Sequence, residues 1–406
     1  MCPRTSSRAC SCCSCVRSRR ATGSSPKAWR HHARCSCTSL RRARSKRRTA
    51  WPGDPTYDGW PVTVAGATPL AQKRPTLALT LGDPSGIGPE VVAKALKRTE
   101  VYETSVPFVI GTVAAMSDAA RLVGLQANVR AITRPQDASG KAGTVDVLNV
   151  DGYEETRFPV GKHAVDSAKA SHAWVERAAR LCIDGDVAGM VTAPVNKEAW
   201  HTAGFEDTGH QEVFKRLTGA GYVATMLVSG GLRCMHLSTH KPLREACDYV
   251  TRANVLRAIR LTHSEFEKWG FDRPRIAVAG LNPHASDNGL IGREELDEIA
   301  PAVADARKEK ILATGPVPAD SVFSQAINGK YDVVVVMYHD QGHIAIKVHG
   351  FEESISVNLG IPFLRTSVDH GTAFDIAGKG VADETSMIEA IRLAVALSTR
   401  KGIVRR

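Results

Sequence analysis

Histidines accompanied by amides and carboxylates follow several apolar segments of this sequence. The segment CMHLSTHKP contains His236 and His240, LNPHASDNG contains His284, and VVVVMYHDQGH contains His339 and His343. Imidazole and carboxylate groups together are common ligands of divalent metal ions. A single histidine after a strand is more often a hydrogen-bonded loop residue, an interpretation that suits His236 and His343. Because histidines recur after three separate apolar segments, the sequence nevertheless favours a metal site.

A second group of chemically active residues lies in SVDHGTAFDIAGKGVADE, residues 367–384. Its glycines would let backbone N–H groups approach a phosphate, and an interleaved aspartate could hold ribose hydroxyls. The spacing is not G-x-G-x-x-G, so this loop is not a Rossmann fingerprint. We therefore expect a nucleotide or phosphate loop of another type.

Apolar segments that alternate with helical patterns must position these groups. The pattern predicts a strand at Thr76–Leu81 with a helix near Pro89, a strand at 106–112 and a helix at 164–185. Two strands with a Gly-Gly turn are predicted in ATMLVSGGLRCMHLSTH, and VVVV is predicted to run into a loop at MYHDQG. This alternation indicates an α/β fold with a largely parallel sheet. Ligands bind beyond the carboxyl ends of such strands, so the three histidine segments should gather at one edge.

The first 50 residues differ from the remainder in charge and cysteine content. They contain 14 Lys and Arg, no Asp or Glu, and seven of the ten cysteines, whereas the other 356 residues carry 39 basic and 42 acidic side chains. A transit peptide, a cysteine-based metal site and a nucleic-acid-binding arm are three interpretations. The absence of any apolar period favours a fourth, an unstructured basic extension followed by a linker, together residues 1–73.

The body of the chain excludes several functional classes. No apolar stretch reaches the length of a membrane helix, so we expect no membrane partner. The near-neutral charge of the body disfavours a nucleic-acid partner, which only the tail could bind. The body has three cysteines, Cys182, Cys234 and Cys247, and this sparse use predicts a cytoplasmic protein.

Seven motifs resemble one enzyme family. LTLGDPSGIGPEV, TAPVNK, TGHQEVF, STHKPL, LNPHASDNGLIGREE, MYHDQGH and GIPFLRTSVDHGTAFDIAGKGVAD occur in this order over about residues 75–400. They resemble the 4-hydroxythreonine-4-phosphate dehydrogenase family, including its D-threonate and D-erythronate 4-phosphate branch. The Gly-rich loop is also similar to that of the isopropylmalate and isocitrate dehydrogenases.

This resemblance implies an architecture. It implies a two-lobed α/β/α subunit with the active site in the interlobe cleft and a homodimer that shares metal ligands between subunits. The nucleotide-binding lobe would comprise residues 74–200 with 345–406, and the metal-binding and dimerisation lobe residues 201–344.

Site residues follow from the positions of the motifs. The metal ligands would be His240, His284 and His339, and the metal Zn, Mg or Co. The substrate would contact His210, Gln211, Lys347, Ser356 and Arg365. The family usually has Thr at position 211 and Asn at 356, so the resemblance leaves the substrate open. NAD would contact Gly371, Thr372, Asp375, Gly378 and Gly380. Candidates for the catalytic base are Asp287, Asp340 and Lys241.

The implied reaction is NAD-dependent, metal-dependent oxidation of a small phosphorylated hydroxy acid. For 4-phosphohydroxy-L-threonine the product is 2-amino-3-oxo-4-phosphooxybutanoate, which decarboxylates to 3-amino-2-oxopropyl phosphate in pyridoxine phosphate biosynthesis. D-threonate 4-phosphate, D-erythronate 4-phosphate and aromatic cis-dihydrodiols are the alternative substrates. Asp375 near the ribose would repel a 2′-phosphate and thus favour NAD over NADP.

Overall fold

The computed structural model describes residues 74–154 and 156–400. The predicted tail and linker, residues 1–73, lie outside this range. The strands are β1 (Thr76–Thr80), β2 (Val106–Gly111), β3 (Asn128–Ile132), β4 (Thr144–Asn149), β5 (Gly189–Thr192), β6 (Ala224–Ser229), β7 (Leu232–His236), β8 (Ile276–Ala279), β9 (Ala313–Val317), β10 (Val333–Val336), β11 (Ile355–Leu359) and β12 (Arg365–Val368).

Helices connect most of these strands. They are α1 (Gly88–Ala95), α2 (Thr99–Thr104), α3 (Val113–Leu122), α4 (Val165–Ile183), α5 (Lys197–Thr202), α6 (His210–Thr218), α7 (Leu243–Asp248), α8 (Arg252–Lys268), α9 (Ala300–Lys308), α10 (Ala319–Ile327), α11 (His339–His349) and α12 (Thr385–Ser398). None of the helices in the described part of the chain combines the length and apolar character that crossing a membrane requires.

The described strands form one mixed sheet. Its order is β3-β4-β2-β1-β5-β12-β11-β6-β7-β10-β8-β9. Most neighbours are parallel, but β11 is antiparallel to both β12 and β6, and β6 is antiparallel to β7. The predicted α/β class with a largely parallel sheet is therefore confirmed. The predicted lobe boundaries remain a prediction.

Burial explains the continuous apolar strands. All four valines of β10 are fully buried, and β5 is buried along its whole length between α4 and α12. A strand covered on both faces has no polar face, so its residues do not alternate. The two strands predicted around Gly230 and Gly231 form the antiparallel β6–β7 pair, as expected.

One local prediction is wrong. The chain does not enter a loop after β10, because α11 begins at His339 and continues to His349. Gly342, which suggested a loop, lies inside this helix and packs against His236. A Cβ atom on Gly342 would stand 2.4 Å from His236 Nε2, so glycine is needed for close packing rather than for a turn.

Candidate functional site

The carboxyl ends of β7, β10 and β8 lie at one edge of the sheet. These three strands are mutually parallel neighbours, so the predicted convergence of their histidine segments is correct at the level of topology. The segment after β7 is fastened to the end of β10, since Leu237 N–H donates to the Val336 carbonyl at 2.8 Å and Ser238 Oγ donates to the Met337 carbonyl at 3.0 Å. This fastening brings the rings of His240 and His339 to a centroid distance of 6.0 Å.

His284 lies on a strained turn that follows β8. Five consecutive residues, 284–288, have positive φ angles between 44° and 70°, none of them glycine. Each such residue costs on the order of 1–3 kcal/mol, and strain of this kind clusters at functional sites. Buried Glu295 holds the turn, because its Oε1 accepts from the backbone N–H groups of Leu281 and Asn282 at 2.7 Å each.

Carboxylates orient two of the predicted metal ligands. His339 Nδ1 lies 2.6 Å from Asp340 Oδ1, and His284 Nδ1 lies 3.1 Å from Asp287 Oδ2. An imidazole that donates its Nδ1–H to a carboxylate presents Nε2 to a metal ion. The donor chemistry of both histidines therefore fits a divalent cation, and both aspartates already have a hydrogen-bonding role.

The third histidine does not complete a metal site within one chain. No group of three or more His, Cys, Asp or Glu in the described residues is arranged to hold a metal ion. His240 and His339 approach each other, whereas the His284 side chain is 64% exposed and bonds only within its own turn. The three-histidine site thus remains a prediction.

A buried cation without a carboxylate partner lies nearby. Arg365 is 6% exposed and donates to Thr192 Oγ1 at 2.7 and 3.0 Å and to Asn358 Oδ1 at 2.8 Å. Burial lowers the pKa of Arg365 to about 9, and among the described residues no carboxylate forms an ion pair with it. A buried charge needs a counterion, and a bound carboxylate or phosphate would supply one.

His210 reinforces this anion site. Its Nε2 is buried without a hydrogen-bond partner in the described structure. Burial, followed by the positive charges of Arg365 and Lys197, lowers the pKa of His210 well below its usual range. The imidazole is therefore neutral at physiological pH, and its open nitrogen can bond to a ligand.

The depressed pKa of His210 predicts a pH-dependent stability. In the unfolded chain this histidine binds a proton below about pH 6.5, whereas in the fold it stays neutral, so stability is present above that pH and declines as the pH falls. We expect the unfolding free energy of a His210→Gln variant to decline less steeply between pH 7 and 5, by about 1 kcal/mol per pH unit on average. Urea unfolding at several pH values measures how the unfolding free energy of the wild type and of the variant changes with pH. Equal pH dependence in the two proteins would contradict the lowered pKa of His210.

The other predicted substrate residues occupy different surroundings. Lys347 Nζ lies 2.6 Å from Asp369 Oδ2, and Ser354 Oγ donates to the same carboxylate at 2.8 Å. Ser356 is buried on β11. Gln211 is fastened to β6, because its Nε2 donates to the Val223 carbonyl and its Oε1 accepts from Thr225 Oγ1, each at 3.3 Å.

Gln211 also lines a pocket beside the histidines. This pocket measures about 380 Å³ and is lined by His240, Lys241 and Tyr249 as well. Lys241, one of the three candidate bases, places its ammonium 5.0 Å from the ring centroid of Tyr249. It therefore lies beside His240 at the edge of the predicted site.

The predicted nucleotide loop is anchored to α1. Buried Glu90 accepts from the backbone N–H groups of Ala382 at 2.7 Å and Gly380 at 3.3 Å, and the Thr372 carbonyl accepts from Ile87 N–H at 2.9 Å. The Gly380 N–H is consequently not available to a phosphate. Gly378 lines a separate pocket of about 270 Å³ between α1, α3 and residues 156–160.

The exposed members of this loop remain candidates for nucleotide binding. Gly371, Asp375 and Gly378 are exposed, whereas Thr372 is buried. A Cβ atom on Gly86 would stand 2.7 Å from the Thr372 carbonyl oxygen, so the loop lies directly on the turn that precedes α1. The cofactor assignment therefore stays a prediction for these three residues.

Sequence reasoning assigned no role to three residues of the site. Thr192 and Asn358 hold Arg365, and Lys197 acts on both His210 and His240. Burial, then the charges of Lys197 and His339, lower the pKa of His240. The motif TAPVNK, which begins at Thr192, could have indicated Thr192 and Lys197. Nothing in the neighbouring sequence, however, distinguished Lys197 from an ordinary surface lysine.

Comparisons with known proteins show what this chain is similar to. A family model described as pyridoxal phosphate biosynthetic protein PdxA matches residues 103–394. A D-threonate 4-phosphate dehydrogenase from Cupriavidus necator is 43% identical over 328 residues, which cover 80% of this chain and 98% of that protein.

Two solved structures are also similar to this chain. A 4-hydroxythreonine-4-phosphate dehydrogenase from Burkholderia phymatum is 41% identical, with a TM-score of 0.73 over 80% of this chain and 99% of that one. Another from Klebsiella pneumoniae is 38% identical, with a TM-score of 0.74 over 80% and 98%.

Proposed function

The chain belongs to the pyridoxal phosphate biosynthetic protein PdxA family, and from this premise we propose that it is an NAD-dependent, divalent-metal-dependent dehydrogenase of D-threonate 4-phosphate. Its relatives named as dehydrogenases support an oxidoreductase acting on a small phosphorylated substrate. The observation that carries the proposal is the buried, carboxylate-free Arg365 beside the open Nε2 of His210.

The charges around Arg365 favour a hydroxy acid over an amino acid. 4-Phosphohydroxy-L-threonine carries an ammonium group at C2, where D-threonate 4-phosphate carries a hydroxyl. The predicted substrate residues are cationic or neutral, and the nearby carboxylate of Asp369 is paired with Lys347 and Ser354. Among these predicted substrate residues, an ammonium group would find no carboxylate as its counterion. The two solved relatives named for 4-hydroxythreonine 4-phosphate keep that compound as the second candidate.

Different residues of the chain have different roles in the proposed reaction. His240, His284 and His339 would hold a divalent cation, which would supply a lowered pKa of the substrate hydroxyl, and NAD⁺ would supply the hydride acceptor. Arg365 and His210 hold the anionic end of the substrate in place. Asp340 and Asp287 orient imidazoles, which leaves Lys241 as the proton acceptor among the three predicted bases. Lys197, whose charge acts on His210 and His240, is a further candidate.

Exposed apolar residues support a homodimer with a shared site. Val348 on α11 is 82% exposed and Leu290, close to the His284 turn, is 86% exposed. These residues belong to the segments that carry His339 and His284. A second copy that covers both patches would bring its own His284 towards His339, which accounts for the incomplete site of a single chain.

A substrate panel tests the proposed function. Purified protein is mixed with NAD⁺, Zn²⁺, Mg²⁺ or Co²⁺, and D-threonate 4-phosphate, D-erythronate 4-phosphate, 4-phosphohydroxy-L-threonine or a cis-dihydrodiol, and NADH absorbance is followed. We expect D-threonate 4-phosphate to give the highest kcat/KM and a chelator to abolish turnover. A preference for the amino acid would overturn the substrate assignment, and full activity after thorough chelation would overturn the metal dependence.

A further inference from the structure

Three histidine rings lie in contact beside the start of α11, and two of them are stacked. His343 lies one helical turn after His339, and the two rings are nearly parallel, with centroids 3.5 Å apart and an interplanar angle of 12°. His343 Nδ1 also lies 3.0 Å from the His339 carbonyl oxygen. The hydrogen bond and the stacking together determine the orientation of the His343 ring.

His236 contacts His343 from the sheet side, with its ring tilted by 56°. It is the last residue of β7, is 1% exposed, and its ring centroid lies 4.6 Å from that of His343. Its Nδ1 lies 3.3 Å from the Thr225 carbonyl oxygen, so its ring is anchored to β6. His343 is therefore confined between a fixed buried ring and the ring of His339.

The hydrogen bond to Asp340 alone does not fix the plane of His339. The Asp340 side chain is 69% exposed, so it can follow the imidazole as that ring rotates. A ring stacked at 3.5 Å removes this rotation, because tilting His339 would bring its atoms into those of His343. The stack supplies the rigidity that a ligand position requires.

We propose that His343, supported by His236, is a positioning residue that holds the His339 imidazole in the plane needed to bind the catalytic cation. This inference rests on the proposed function, which makes His339 a metal ligand. The flat ring of His343, rather than its nitrogen atoms, performs this role.

Substitutions at position 343 separate the ring from its nitrogens. His343→Leu removes the flat ring, whereas His343→Phe keeps a ring and removes both nitrogens. Each apoprotein is titrated with Co²⁺ by calorimetry and by visible absorption, and kcat and KM are measured. We expect the Co²⁺ Kd of the Leu variant to rise about 10- to 100-fold with a changed absorption spectrum, as for other groups that support metal ligands. The Phe variant should stay close to wild type, and the KM for NAD⁺ should not change in either.

The outcomes distinguish this inference from the proposed function. Wild-type Co²⁺ affinity and spectrum in His343→Leu overturn the positioning role while leaving the proposed function intact. A Phe variant as weak as the Leu variant also overturns it, since the nitrogens would then matter. Failure of the wild-type protein to bind Co²⁺ removes the metal-dependent function and this inference together. If the Leu variant does not fold, as judged by circular dichroism, His343→Gln replaces it with the same expectation.

Discussion

The His284→Ala variant is expected to lose NAD⁺ reduction while keeping its fold. The His284 side chain is 64% exposed and, among the described residues, bonds to Asp287 alone, so truncation should change the free energy of unfolding by no more than about 0.5 kcal/mol. A missing ligand, in contrast, leaves the cation with two histidines. Measured turnover reports the activity of the variant, its metal content reports the loss of a ligand, and its thermal midpoint reports the stability of its fold. Full turnover with wild-type metal content would reject His284 as a ligand.

Mixing two inactive variants tests whether the site is shared between subunits. If His284 serves the His240 and His339 of a second copy, a dimer of one His284→Ala and one His339→Ala chain contains one intact site. Co-refolding equal amounts should then restore about a quarter of wild-type activity, because half of the dimers are mixed and one of their two sites is whole. No recovery, together with dimers confirmed by light scattering, would show that each chain uses its own His284.

Substitution of Arg365 should have the second large effect. Arg365→Met keeps the apolar stem of the side chain but removes the buried cation that is proposed to hold the substrate anion. Loss of one partner of a buried, hydrogen-bonded charge pair is expected to lower kcat/KM roughly 10²- to 10³-fold. Arg365→Lys should recover little, since one ammonium cannot replace the donors that reach both Thr192 and Asn358.

Arg233 provides a matched control for Arg365. It is also buried, at 5% exposure, but it donates to the Asp332 carbonyl at 3.0 Å and is not part of the anion site. Arg233→Met should lower the thermal midpoint without raising the substrate KM, whereas Arg365→Met should raise KM. If both variants lose stability alike and keep wild-type KM, Arg365 is a structural residue and the anion site is wrong.

Much of the fold was predictable because its signals are local. The strand predicted at Thr76–Leu81 and the helix predicted at 164–185 correspond to β1 and α4 within two residues at each end. The turn at Gly230 and Gly231 was also local. The failure at α11 had a nonlocal cause, because Gly342 serves contact with His236 on a strand more than 100 residues earlier. A glycine in a sequence does not indicate whether it makes a turn or admits a neighbour.

The sequence by itself determined which chemical groups follow which strands, since strand periodicity and turn residues are properties of neighbouring residues. Only the tertiary structure decided which of those groups contact one another and which are buried. Arg365 contacts Thr192 across 173 positions of sequence, and burial there removes solvent from its charge. Asp340 and Asp287, two of the predicted bases, bond to imidazoles, which no local pattern indicated. Desolvation and ring stacking depend on atoms brought together by the whole fold, so no local pattern of residues can report them.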